Sequence, residues 1–230
     1  MTRVPARVPA SEGRVAMHRT QIWRWVFFFA GQLILSLGIT MTIKGERLGI
    51  GPWDVLHVGL FRNFGLTIGS WSIITGLLIV SGTAVVLRKW PQIGTWLNML
   101  LIGLFIDFFY WLLPDIGSLA GQTGMFIAGT AIMAVGIGMY VSPNIGAGPR
   151  DTLMLIITDR TGWSVKRVRT GLEVTVAIAG WALGGPVGVG TVVIALFLGQ
   201  LVHHSIPWFR TLLLRVCRGD ETALGGTPAK

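Results

Sequence analysis

Apolar runs of about 20 residues follow one another along most of this chain, parted by short segments in which the cations collect. A helix rises about 1.5 Å per residue, so a run of roughly that length covers the ~30 Å hydrocarbon core of a bilayer. Six such runs stand at approximately 23 to 43, 70 to 87, 94 to 113, 123 to 141, 168 to 184 and 190 to 208. The fifth is the weakest, because Arg169 and Glu173 lie in its first turns and Gly180, Gly184 and Gly185 thin its far end; five spans is the alternative count. A soluble globule is excluded, since 52% hydrophobic beside 13% charged residues leaves too little polar surface to dissolve one. The 32 glycines follow no period of three and Cys217 has no second cysteine, which removes collagen and a disulfide scaffold. No small-residue cleavage site follows the first run, so it reads as a retained span.

The net charge of +9 sits in clusters between the runs, the pattern of a topology signal and not of a nucleic-acid surface. With a cytoplasmic amino terminus, Arg3, Arg7, Arg14, Arg19, Arg24, Arg88, Lys89, Arg150, Arg160, Lys166, Arg167, Arg169, Arg210, Arg215, Arg218 and Lys230 are inside. Only Lys44, Arg47 and Arg62 are outside. All ten tryptophans fall near a predicted interface, where an amphipathic ring is most comfortable. Both signals predict six spans with the two termini cytoplasmic.

The chain also resembles itself at an offset of about 97. Gly38-Ile39-Thr40-Met41 matches Gly136-Ile137-Gly138-Met139, and Gly49-Ile50-Gly51-Pro52-Trp53-Asp54 matches Gly146-Ala147-Gly148-Pro149-Arg150-Asp151. Thr75-Gly76, Gly94-Thr95 and Gly103 recur as Thr170-Gly171, Gly190-Thr191 and Gly199. Three crossings per unit would turn the second copy upside down. The expected fold is therefore all-α: a polytopic helical membrane protein of six spans arranged as a 3+3 inverted repeat. Residues 1–22 form a basic cytoplasmic tail, 23–113 the first membrane repeat, 114–208 the second, and 209–230 a second basic tail. The bland alternative is a duplication that merely doubled a stable bundle.

The matched motif is a helix start written twice. Gly49, Gly51 and Pro52, like Gly146, Gly148 and Pro149, permit a turn and then fix the first helical residue. Asp54 and Asp151 follow in the first turn, at the positive end of the dipole. The apolar stretch after each is too short to cross, so each is expected to be an interfacial or re-entrant half-helix. Either the two aspartates only stabilise helix starts, or they face a polar pathway, Asp54 toward the outside and Asp151 toward the inside.

Other ionisable groups also fall within the runs. Asp107 is expected ~9 Å from the outer end of its span, where a carboxylate costs on the order of 2.5 to 3.5 kcal/mol. Its repeat partner is His203, beside His204, with Asn98 and Gln200 adding polarity to the same two helices. A proton or cation relay competes here with a plain hydrogen bond between helices. Glu173 stands four residues after Arg169, which favours an ion pair on one helix face over substrate contact. His57 shares a face with Asp54 and could exchange protons with it, though an exposed interfacial histidine is the commoner case. Gly180, Gly184 and Gly188 have the spacing of close helix packing.

No catalytic template or metal-ligand spacing is present: there is no H-E-x-x-H, nucleophile elbow, phosphate loop or Cys cluster. The expectation is a non-enzymatic protein without cofactor or metal, in contact with membrane lipid and with no nucleic-acid partner.

The Gly49–Asp54 motif, Gly94-Thr95 with Ile102-Gly103, the Gly146–Asp151 motif, and Gly184-Gly185-Pro186 with Gly190-Thr191 together resemble the YczE/YitT-like family of bacterial integral membrane proteins. The resemblance covers about residues 25 to 207 and is closer to the YczE branch, since the YitT branch carries a further soluble carboxy-terminal domain. It implies a multi-helix protein of the bacterial cytoplasmic membrane and supplies no substrate. Leu104 and Gln200 stand where such proteins would have a proline after the glycine, so no helix break is expected there. The leading expectation is a permease for a small molecule or ion, with a polar site drawn from Asp54, Asp107, Asp151 and His203, and with His57 and Glu173 on its pathway. The competing class is a non-transporting accessory or assembly protein that binds lipid, another protein or a second copy.

Overall fold

A computed structural model describes residues 10–146, 148–217 and 224. Ala147 and the expected tail cations Arg3, Arg7, Arg218 and Lys230 lie outside the described residues. The elements are α1 (Ala10–Lys44), a 3-10 turn (Glu46–Leu48), α2 (Pro52–Phe64), α3 (Ile68–Leu87), α4 (Ile93–Leu112), α5 (Leu119–Val141), α6 (Pro149–Thr161), α7 (Val165–Ala182) and α8 (Val189–Val216). Helices α1 and α8 extend past the expected spans into both tails; no proline interrupts residues 10–44, and α8 continues through Pro207.

Among the described residues, five helices are long and apolar enough to cross a membrane: α1 from Arg19 onward, α3, α4, α5 and α8. The expected fifth run, α7, is a regular helix but does not join them. Lys166, Arg167, Arg169 and Glu173 load its first half with charge. Helices α2 and α6 have 13 residues each. At 1.5 Å per residue each reaches only about 20 Å, so neither can span.

The elements recur in order. The half-helix starting at Pro52 is matched 97 residues on by the one starting at Pro149, α3 is matched at the same offset by α7, and α4 is matched 96 residues on by α8. Equivalent residues cap equivalent helices: the Thr67 hydroxyl accepts from the Ser70 amide at the start of α3, and that of Ser164 from the Arg167 amide at the start of α7.

Helices α1 and α5, the first of each unit, form the central contact and run antiparallel. Leu35 meets Gly136 while Gly31 meets Tyr140, nearer the end of α5. A Cβ added at Gly136 would lie 2.6 Å from the Leu35 Cα, and one at Gly31 2.8 Å from the Tyr140 Cα, so side chains are excluded from the seam. Lipid tails are as apolar as leucine, and such close backbone approach is how membrane helices gain attraction over lipid. Polar ties join α1 to α4: Ser36 and Thr40 donate to the Ile102 and Ile106 carbonyls. The outer face of α4 shows Leu100, Leu104, Phe108 and Leu112 at four-residue intervals, all exposed, while Asn98, Met99, Ile106 and Phe109 are buried. That is the pattern of a helix with one face to lipid.

The loops that precede the half-helices cross to the other unit. Leu48 and Gly49 rest on Gly188 and Gly190 at the start of α8, and Ile145 and Gly146 rest on Gly94 and Thr95 at the start of α4. Gly49 sits at φ +90°, a left-handed conformation that suits glycine, with a side chain further blocked by Gly188 and Thr191.

The α1–α5 seam predicts that Gly136→Leu, which forces bulk against the Leu35 backbone, lowers stability by about 2 kcal/mol or more. Gly124→Leu, at an exposed α5 position with no neighbouring atoms, is the control. Thermal melts of both variants in detergent measure the difference.

Candidate functional site

Helices α2 and α6 begin in the same place. Each opens with glycine at the cap, proline at the first helical position and aspartate in the first turn. The aspartate folds back over its own cap: a Cβ on Gly51 would lie 2.6 Å from Asp54 Oδ2, and one on Gly148 3.3 Å from Asp151 Oδ2. Where a carboxylate occupies the amide end of a helix, glycine leaves it room.

Between these two starts lies a cavity of about 420 Å³, within the roughly 300–1,000 Å³ of small-molecule sites. Its apolar wall includes Leu35, Ile39, Met99, Ile102, Met133 and Ile137 from the middles of α1, α4 and α5. The polar groups include Asp54, His57, Asn98, Tyr140, Arg150, Asp151, Arg169 and Glu173, with the hydroxyls of Ser72 and Thr75. Asp54 is 4%, His57 1% and Asn98 3% exposed, yet Asp54 Oδ1, both ring nitrogens of His57 and the Asn98 amide nitrogen have no hydrogen-bond partner. His57 Nδ1 stands 3.8 Å from Asp54 Oδ1, beyond hydrogen-bonding reach. Burying a polar group unpaired costs about 1–3 kcal/mol, so three such residues lining one cavity mark a place that receives something polar.

Arg150 lies across the cavity with its guanidinium 4.6 Å above the Trp53 ring. The contact is with the ring face, and among the described residues the guanidinium N–H groups donate no hydrogen bond. Asp54, Asp151 and Glu173 are the carboxylates it faces, but among the described residues none comes within ion-pairing distance of it. Glu173 is instead held by Arg169 at 3.0 Å. Asp151 and Arg169 are exposed, whereas Asp54 and His57 are buried, so the cavity opens at the α6–α7 end and closes at the α2 end.

The walls of the two ends differ. Helix α3 presses on α4 with the Gly69 carbonyl 2.6 Å from where a Gly103 Cβ would be. Their repeat equivalents, α7 and α8, hardly touch: at Gly199 only the Arg169 side chain comes near, at 3.8 Å. Helix α2 likewise fits tightly on α7 through Val55, Leu56 and Gly180, while α6 lies more loosely on α3.

The structure brings Asp54, His57, Asp151 and Glu173 together at this cavity and leaves two expected members away from it. Asp107 accepts hydrogen bonds from the Thr67 hydroxyl and the Gly69 amide, and so ties α4 to the start of α3. His203 is exposed, edge-on to the His204 ring. Of the two readings of His57, a partner of Asp54 or an exposed interfacial residue, the second fails: its side chain is among the most buried, because α2 dips into the bundle. The expected Arg169–Glu173 pair is present, and of the spaced glycines Gly180 and Gly188 pack closely while Gly184 turns the chain at φ +76°. Among the described residues no group of three or more potential ligands could hold a metal. Sequence reasoning passed over Trp53, Arg150 and Tyr140. By sequence Arg150 counts with the topology cations, although it alone of them stands inside the repeated motif, opposite Trp53.

Over residues 22–207 the chain matches a family of unknown function, DUF6198. It is 49% identical over 212 residues to a Bacillus subtilis protein described as uncharacterized membrane protein YczE, covering 92% of this chain and 99% of that one. A second Bacillus subtilis protein, uncharacterized protein YyaS, is 29% identical over 187 residues, covering 80% and 92%. An uncharacterized protein of Haemophilus influenzae is 31% identical over 199 residues, covering 84% and 90%. No solved structure matches.

The placement of Asp107 predicts that Asp107→Asn lowers stability by about 1.5 to 3 kcal/mol, the worth of hydrogen bonds to a charged group, without changing the cavity. His203→Ala should do neither. Melting temperatures, with labelling of a cysteine placed at Met154 as the cavity readout, test both.

Proposed function

Because the chain belongs to the DUF6198 family of YczE-like membrane proteins, we propose that it is a permease for a small polar solute, working by alternating access. The observation that carries this reading is the cavity itself: two half-helix starts converge on it, and Asp54, His57 and Asn98 line it buried and without partners. Discontinuous helices are tolerated within a membrane where they line protein or a watery cavity, and transporters place substrate sites at such elements.

In this reading α7 is the sixth crossing. Its charged first half is drawn against α6 and the cavity mouth and its apolar second half, residues 175–182, completes the passage. The antiparallel seam between α1 and α5 supports an inverted relation of the two units, and the cation distribution supports cytoplasmic termini in a bacterial inner membrane. The cavity then opens to the cytoplasm. Exchange of the two units' conformations would open it on the other side: α7 would close on α8 as α3 now closes on α4, about the loops that carry Gly49 and Gly146. Substrate transfer needs no bond chemistry, and the protein is read as a transporter and not an enzyme. An accessory protein that binds lipid, another protein or a second copy is the competing class; a cavity with unspent buried polar groups favours a solute.

Two measurements check the reading. Proteoliposomes carrying wild-type protein should move a solute from a metabolite and ion panel, and Asp54→Asn should abolish that flux while the protein stays folded; no flux of any solute, with a stably co-purifying protein, would favour the accessory role. Lys166 and Gly199 are the equivalents of Gly69 and Gly103. In a Cys217→Ser background, Lys166→Cys with Gly199→Cys should therefore cross-link during turnover, and a pair that never cross-links would count against the exchange of conformations.

A further inference from the structure

The layout of charge in the cavity narrows the solute. Resting on the permease reading, we infer that the site takes a small zwitterion of the free amino-acid class, with a carboxylate, an ammonium group and an apolar side chain.

Two unspent groups of opposite sign face the same space. At the start of α6, the Arg150 guanidinium stands 4.6 Å from the Trp53 ring and among the described residues donates no hydrogen bond, leaving a fork that matches a carboxylate with two parallel hydrogen bonds. The Asn98 amide nitrogen, a buried donor with no acceptor, belongs with it, since Asn98 Oδ1 is 3.6 Å from where a Gly148 Cβ would stand, next to the start of α6. At the start of α2, Asp54 Oδ1 is a buried acceptor with no donor, and the ring nitrogens of His57 beside it are unspent. An ammonium supplies N–H donors to Asp54 Oδ1 and to the one ring nitrogen of a neutral His57 that accepts.

The remaining charges do not need the solute. Arg169 and Glu173 satisfy one another, and Asp151 is exposed at the open end. A simple anion would meet Asp54 as well as Arg150, a simple cation the reverse, and like charges in a water-poor cavity repel strongly. An uncharged solute would leave both charges unanswered. A zwitterion of short frame answers both at once. Its side chain would lie on the apolar wall, where Met99 and Met133 can adjust to different shapes.

The test uses the full-length protein in nanodiscs and three probes of one shape: leucine, leucinamide, which lacks the carboxylate, and 4-methylpentanoate, which lacks the ammonium. Equilibrium binding should favour leucine over each analogue by about tenfold or more. Arg150→Gln should erase the preference of leucine over leucinamide, and Asp54→Asn the preference of leucine over 4-methylpentanoate. The wild-type comparison needs no variant to fold. Either analogue binding wild-type protein as tightly as leucine would overturn the inference. So would a lack of binding by leucine, valine and methionine, and if proteoliposomes then moved another solute, the permease reading would survive alone. Binding with the expected charge dependence but no flux would sustain the zwitterion site and overturn the permease.

Discussion

A backbone amide inside a bilayer has no water to turn to, and the architecture follows from that shortage. Helices α2 and α6 are too short to cross, so their first turns must end within the protein. The fold meets this by folding each aspartate back on its own glycine cap, by using proline where an amide would be left over, and by surrounding both starts with the longer helices. The cavity is what remains where two such starts meet.

Polar groups are costly in this setting, which makes their distribution informative. Most are consumed by structure: Ser36 and Thr40 reach carbonyls of α4, Asp107 holds the start of α3, and Arg62 is held by Glu46. Those around Asp54 are not. The same economy sets the two ends of the cavity apart, because a glycine backed by a neighbouring backbone seals one helix pair while its counterpart faces a single arginine side chain. The closed end buries Asp54 and His57; the open end wets Asp151 and Arg169.

How much of this could be read in the residues depended on the range of the interaction. The helix starts at Pro52 and Pro149 were legible to the residue, because glycine, proline and aspartate act on the nearest turn of backbone. So was the Arg169–Glu173 pair, which needs only one helix face. Apolar length located the five helices long and apolar enough to cross but not the standing of α7, whose first half carries Lys166, Arg167, Arg169 and Glu173. The role of Asp107 was hidden for the same reason: its partners Thr67 and Gly69 lie on another helix, and a span's hydropathy does not say which way one carboxylate faces. Arg150 was hidden differently. A cation near a span reads as a mark of topology until its partner, the ring of Trp53, is seen across the cavity.

That contact also shows what two unlike residues at matched positions make possible. Trp53 and Arg150 occupy the same place in the two copies of one motif, yet they touch each other. Were the halves separate and identical polypeptides, the junction would set ring against ring or guanidinium against guanidinium. A single chain can carry different residues on the two sides of one junction, so that a neutral surface on one cradles a cation on the other.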